Sequence, residues 1–252
     1  MNDLLKEIFA TKVISIENKK YELNSNIDIN EGEFLKKCIK SISAKRTIEI
    51  GCAQGISSLF ICDELKNVAS SFHTIIDPNQ TTEWESIGIK NLQKSGFLNY
   101  ELIERPSEIA LPNLLNENKV YDLAFIDGWH TFDHTLLDFF YLNRMLKVGG
   151  LIVIDDTGMP AVKKAIRYIL KYPSYKFFGN SGELPVTSSR KLLNRFYSLL
   201  SPFTMIVGKK LRSEVFQDSF VNSDKKLNIN SSMIALVKVE PDNRPWNWYV
   251  DF

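Results

Sequence analysis

Two short apolar runs, LAFI at residues 123–126 and LIVI at residues 151–154, each end on acid, and the residues between them repeat at helical spacing. Asp127 follows the first run; Asp155 and Asp156 follow the second. Runs so rich in branched side chains and free of polar ones suit strands buried on both faces of a parallel sheet. Leu136, Leu137, Phe139, Phe140, Leu142 and Met145 form the helical stripe, and Gly149-Gly150 reads as the stop before the next strand. A strand–helix–strand crossover is right-handed in nearly every known case, so both strands point the same way and their carboxyl ends open onto one sheet edge. Three carboxylates therefore gather where ligands of open α/β sheets bind.

The same alternation runs from residue 47 to 172. TIEIG is a strand ending at Gly51, residues 56–66 a helix, and FHTIID a strand ending at Asp77. WESIGIKNLQKSG reads as a helix, YELIE as a strand, SEIALPNLLNE as a helix interrupted by proline, and MPAVKKAIRYILKY as a helix with proline near its start. Ahead of these, DLLKEIFA is a short helix, KVISIENKKYEL is extended, and FLKKCIKSI is an amphipathic helix. Strands alternating with helices predict an α/β, doubly wound sheet. Residues 1–46 are then an N-terminal helical and extended segment and 47–180 the cofactor-binding core. Residues 181–231 break the rhythm and read as an insertion, and 232–252 supply the last strand and a tail.

The length of 252 residues suits one such domain. A 44% hydrophobic and 24% charged composition is that of a globular protein, and a net charge of +1 offers no field for nucleic acid. Cys38, Cys52 and Cys62 are odd in number and lack metal-site spacing, which favours free thiols in a reducing compartment. With no apolar run near the ~20 residues that span a bilayer, the expected location is cytoplasmic.

The segment Glu49-Ile50-Gly51-Cys52-Ala53-Gln54-Gly55 sits at a strand-to-helix turn, where glycine lets a ligand approach the backbone closely. Asp77 ends the next strand, where a carboxylate can accept both hydroxyls of a ribose. The pair points to an adenosine-containing ligand. Gly51 and Gly55 depart from the G-x-G-x-x-G spacing, so a nicotinamide-dependent oxidoreductase is the alternative and fits less well.

EIGCAQG, IDP, FIDGWHTFDHTLLD and LKVGGLIVIDD together resemble the class I S-adenosylmethionine-dependent methyltransferases. The resemblance is closest to the small O-methyltransferases of the catechol O-methyltransferase and macrocin O-methyltransferase type, and it covers residues 30–172 and the last strand. It implies a seven-stranded, mostly parallel Rossmann-like methyltransferase sheet with an insertion before the last strand. It also implies that Glu49, Gly51, Cys52, Gln54 and Gly55 line the methionine side of the cofactor, that Ser57 and Ser58 meet its carboxylate, and that Asp77 takes the ribose. RPSEIALP is similar to the family segment whose Ser-Gln pair contacts adenine, which maps onto Ser107 and Glu108. Glu108 departs from it, because a carboxylate cannot donate as an amide does.

The resemblance makes Asp127, Asp155 and Asp156 ligands of a divalent metal, and hard oxygen donors of this kind suit Mg²⁺. The other reading of strand-end acids is that they cap the following helices or contact the cofactor. His130, on the same loop as Asp127, is the catalytic candidate among the three histidines, and Asp127 is the other proton acceptor. The predicted activity is Mg²⁺-assisted methyl transfer to a hydroxyl of a small molecule, sugar or glycan. From a different class, a non-catalytic cofactor-binding or membrane-recruited protein of the same fold also fits.

Residues 186–212 carry six basic residues, no acid and a broad apolar helical face. Such a segment serves as a lid over the cleft or a contact in a homo-oligomer, and the alternative is peripheral contact with an anionic membrane. Trp246, Trp248 and Tyr249 near the end either stack on an acceptor or pack as a tail.

Overall fold

The computed structural model describes residues 1–184 and 223–250. The basic segment 186–212 therefore lies outside the described residues. The chain opens with α1 (Asp3–Thr11) and a hairpin of β1 (Val13–Ile16) and β2 (Lys19–Glu22). Glu17 and Asn18 form the hairpin turn, both at positive φ, the geometry that matches the twist of paired strands. Next come α2 (Ile29–Ser41), β3 (Arg46–Ile50), α3 (Ile56–Leu65), β4 (Phe72–Ile76), α4 (Ile87–Ser95), β5 (Tyr100–Ile103) and α5 (Ser107–Asn116). β6 (Tyr121–Ile126), α6 (Phe132–Met145), β7 (Leu146–Ile154), α7 (Pro160–Ile169), β8 (Tyr175–Asn180) and β9 (Ile234–Lys238) complete the order.

Seven strands form one sheet in the order β5-β4-β3-β6-β7-β9-β8. β9 runs antiparallel to both neighbours, and the remaining pairs are parallel. Successive residues of the central strands point to opposite faces. Leu123, Phe125, Leu151 and Val153 join a core with α1–α4, while Ala124, Ile126, Ile152 and Ile154 join a second core with α5–α7. Burial on both faces explains why these strands contain almost no polar residue.

Three sequence expectations change. Gly149-Gly150 does not end α6, which stops at Met145; both glycines lie within β7 at an irregularity between the Tyr121–Leu146 and Leu123–Leu151 pairs. A Cβ on Gly150 would stand 2.7 Å from the Asp122 carbonyl, so close approach of the two strand backbones requires glycine there. Pro112 does not break α5: it is the sixth of ten residues and forfeits one interior amide bond, yet the helix continues to Asn116. The WESIG helix begins only at Ile87, preceded by turns.

β8 was not expected at all. Its continuation, residues 181–184, pairs with residues 230–233 beside the end of β7, where Thr157 N donates to Ser232 O at 2.9 Å. Both described ends of the predicted insertion thus stand at the edge that carries Asp155. Among the described residues no helix is long and apolar enough to cross a membrane.

Candidate active site

The strand order reverses between the parallel neighbours β3 and β6, and a cavity of about 1030 Å³ opens outside the carboxyl ends of these strands. Register sets its floor. Ile50 pairs with Ile76 and with Ile126, and Ile126 pairs with Ile154, so Asp77, Gly51, Asp127 and Asp155 are the next residues in four adjacent strands. The ladder continues one step beyond them: Gly51 N donates to Ile76 O at 2.9 Å, Asp127 N to Ile50 O at 2.9 Å and Asp155 N to Ile126 O at 3.0 Å. Neighbouring strands lie about 4.8 Å apart, so the four positions form a row along one edge.

The glycine loop lies against this row. Asp77 Oδ2 accepts Cys52 N at 3.0 Å, Ala53 N at 2.8 Å and Gln80 Nε2 at 3.0 Å, while its Oδ1 accepts Asn79 N at 2.9 Å. The carboxylate that the sequence assigns to a ribose therefore also braces the loop. Gly51, Cys52, Ser57 and Asp77 line the cavity, and Ser107 and Glu108 border its other end. Glu49, Gln54, Gly55 and Ser58 are not on the wall. Glu49 is fully buried beneath the loop, accepting hydrogen bonds from the hydroxyls of Ser57 and Ser58, with His73 Nε2 3.4 Å away. The Gln54 amide is bound to the backbone of residues 22 and 24.

Among the described residues one group of possible metal-ligand atoms stands out: Asp127, His130 and Asp156 each offer an atom within 4.8 Å of the others. His130 Nε2 lies 3.2 Å from Asp156 Oδ2. Asp156 reaches this position with φ +53°, a left-handed conformation that aspartate tolerates better than most residues. Asp155 lines the same cavity, mostly buried, but lies outside that group. Burial, and then the neighbouring Glu31, push the Asp155 carboxyl up to about 8. Burial, followed by the charges of Asp155, Asp156, Glu49 and Glu31, pushes Asp127 well above the usual carboxylate range.

Sequence reasoning missed several wall residues. Glu31 enters from the first turn of α2, where it forms a capping box with Asp28, and the D-x-x-E pattern was the available signal. Trp129, in the loop after Asp127, is exposed and stacks on His134 with ring centres 5.6 Å apart. Trp84 and the segment Ser25–Ile27 carried no local signal. Trp248 packs against Tyr168 and Tyr172 beside a separate small cleft, which settles it as a tail contact, whereas Trp246 and Tyr249 remain exposed.

Asp138 lies buried on α6 below the cavity. Burial pushes its carboxyl up to about 6, with the Ser107 hydroxyl and His134 pulling the other way and Glu108 adding to the rise. The folded protein thus holds this proton more tightly than the unfolded chain. The Asp138 contribution to stability is whole below about pH 4 and is lost as pH rises through about 6. Asp138→Asn is expected to lose less stability than wild type between pH 4 and 8, by on the order of 2–3 kcal/mol. Thermal melts across that range check this, and parallel curves for the two proteins would refute it.

The switch-point cavity, glycine loop and edge carboxylates on a sheet with an antiparallel β9 define the class I methyltransferase fold. Residues 48–157 match the model of a methyltransferase domain family. That stretch contains the glycine loop, Asp77 and the strand-end acids Asp127, Asp155 and Asp156. The chain is similar to tapetum-specific methyltransferase 1 of Arabidopsis thaliana, with 31% identity over 162 residues covering 62% of this chain and 64% of that protein. Caffeoyl-CoA O-methyltransferase 2 of Petunia hybrida is 32% identical over 136 residues, 51% of this chain and 52% of that one. The chain thus spans less than two thirds of the length of these relatives.

Among solved structures, the O-methyltransferase from Bacillus cereus in complex with SAH superposes with a TM-score of 0.59 at 15% identity, covering 71% of this chain and 83% of that one. A putative caffeoyl-CoA O-methyltransferase from Staphylococcus aureus gives 0.53 at 22% identity, covering 69% and 84%. These likenesses show the fold. Neither the oxidoreductase nor the membrane-recruited reading gains support from them.

Proposed function

We propose that this protein transfers the methyl group of S-adenosylmethionine to a hydroxyl of a sugar, glycan or other small molecule, assisted by Mg²⁺. The observation that carries this reading is the register row, which sets the braced glycine loop, Asp77, Asp127 and Asp155 side by side on one cavity edge. Asp127, Asp155 and Asp156 would hold the metal. The donor set fits: Asp127 and Asp156 converge with His130, Asp155 stands on the same cavity wall, no lysine or arginine lines the cavity among the described residues, and Asp127 is raised by burial and then by its neighbours' charge, the second of which a cation relieves.

S-adenosylmethionine supplies a methyl group on a positive sulfur, and a bound Mg²⁺ makes an acceptor hydroxyl more acidic. The chain's own work is positioning and proton transfer. The amides of Cys52 and Ala53 are held by Asp77 Oδ2, while Oδ1, which accepts only Asn79 N, keeps a lone pair for a ribose hydroxyl. Ser57, backed by Glu49, faces the methionine end, and Ser107 and Glu108 border the adenine end, where Glu108 accepts hydrogen bonds only. His130, whose imidazole belongs to the Asp127–Asp156 group, accepts the hydroxyl proton as the oxygen–methyl bond forms and the sulfur recovers its electron pair.

The test is methyl transfer to a panel of polyhydroxylated acceptors, read as S-adenosylhomocysteine release. Turnover is expected to fall at least tenfold in chelator, to return with added Mg²⁺, and to fall likewise in Asp155→Asn. Full activity in both conditions would remove the metal from the mechanism and leave a metal-independent transferase.

A further inference from the structure

We propose that Gln54 is a positioning residue that holds residues 22–27 as one wall of the cofactor cavity. Gln54 stands inside the glycine loop, where a ligand contact is the natural expectation, yet its side chain is 3% exposed and points elsewhere. Its Oε1 accepts Asn24 N at 2.9 Å and its Nε2 donates to Glu22 O at 2.9 Å, so one amide replaces the partner strand that β2 lacks beyond Glu22. Its own backbone is fixed in turn, because Asn91 Nδ2 on α4 donates to Gln54 O at 2.9 Å. The three residues that follow, Ser25, Asn26 and Ile27, line the cavity together with Gly51, Cys52, Ala53 and Ser57, and the chain then enters α2, which delivers Glu31 to the same wall.

Residues 23–28 form no helix or strand, so little backbone pairing orders them; Leu23 N to Lys12 O at 2.9 Å is the remaining bond near the start. Two partly buried hydrogen bonds between the Gln54 side chain and this backbone then decide whether the wall is preformed before a ligand arrives. A preformed wall spares the ligand the ordering entropy of the segment. The glycine loop and the strap thus move as one body, and Gln54 is the link.

The inference rests on the proposed cofactor reading for its binding readout but has one that does not. Gln54→Met preserves volume and removes both bonds. In the ligand-free protein, amide hydrogen exchange of residues 23–28 is expected to accelerate at least tenfold while the β3, β6 and β7 amides keep their rates. The dissociation constant for S-adenosylhomocysteine is expected to rise five- to twentyfold, and Gln54→Glu, which keeps the acceptor for Asn24 N, is expected to fall between wild type and Gln54→Met. Unchanged exchange at residues 23–28 overturns the inference, as does faster exchange with unchanged affinity. Absence of binding by the wild type would instead count against the cofactor reading and leave the exchange result to judge the strap.

Discussion

Gly51→Ala is expected to abolish measurable binding of S-adenosylhomocysteine and to lower the melting temperature by about 5–15 °C. Gly51 has φ +87°, where an alanine carries strain of about 1–2 kcal/mol. Its Cβ would stand 2.1 Å from the Asp127 carbonyl oxygen and 2.8 Å from that carbonyl carbon. Neither backbone can yield cheaply, because Gly51 N is bonded to Ile76 O and Asp127 N to Ile50 O, each at 2.9 Å. Relief of the overlap costs a further ~1–3 kcal/mol and drives apart the two loops that form the cavity. The same displacement moves the Cys52 and Ala53 amides off Asp77, so affinity falls more than stability does. Titration calorimetry and a thermal melt on the same sample check both; a variant that binds within threefold of wild type would show that the contact between the loops is not what shapes the site.

Asp127→Asn is expected to lower turnover by two to four orders of magnitude while stability stays level or rises. Asp127 sits among Asp155, Asp156, Glu49 and Glu31, and burial with their charge already disfavours its ionised form. An amide of the same shape removes that repulsion, so the folded state loses nothing by the change. Catalysis loses a carboxylate from the donor group that includes His130 and Asp156. The opposite signs separate a working group from a structural one. Steady-state turnover measured beside a melt decides it: retained turnover, or lost turnover that tracks lost stability, would contradict the assignment.

Much of this arrangement is legible in the sequence because parallel strands buried on both faces leave a strong signature. LAFI and LIVI, each followed by acid, place Asp127 and Asp155 at strand ends, and register then aligns them with Gly51 and Asp77. What escapes is whatever depends on partners distant in the chain. β8 pairs with β9 across a long intervening segment, and YKFFGN carries no local mark of that pairing. Gly149-Gly150 looks like a helix stop because its true cause, the Asp122 backbone packed against it, lies on another strand. Gln54 looks like a ligand contact because it sits among residues that line the cavity, and only the path of β2 shows where its amide goes. Glu31 is hidden by a sound local explanation, since its capping box with Asp28 already accounts for its place at a helix start.

The central claim is that the row of Gly51, Asp77, Asp127 and Asp155 edges a methyl-donor site. Titrating the folded wild-type protein with S-adenosylhomocysteine, and separately with NADH, tests it most directly. One saturable site for S-adenosylhomocysteine, with no heat or fluorescence change from NADH, is the predicted result. A folded protein that fails to bind S-adenosylhomocysteine, or that binds NADH in its place, would contradict it.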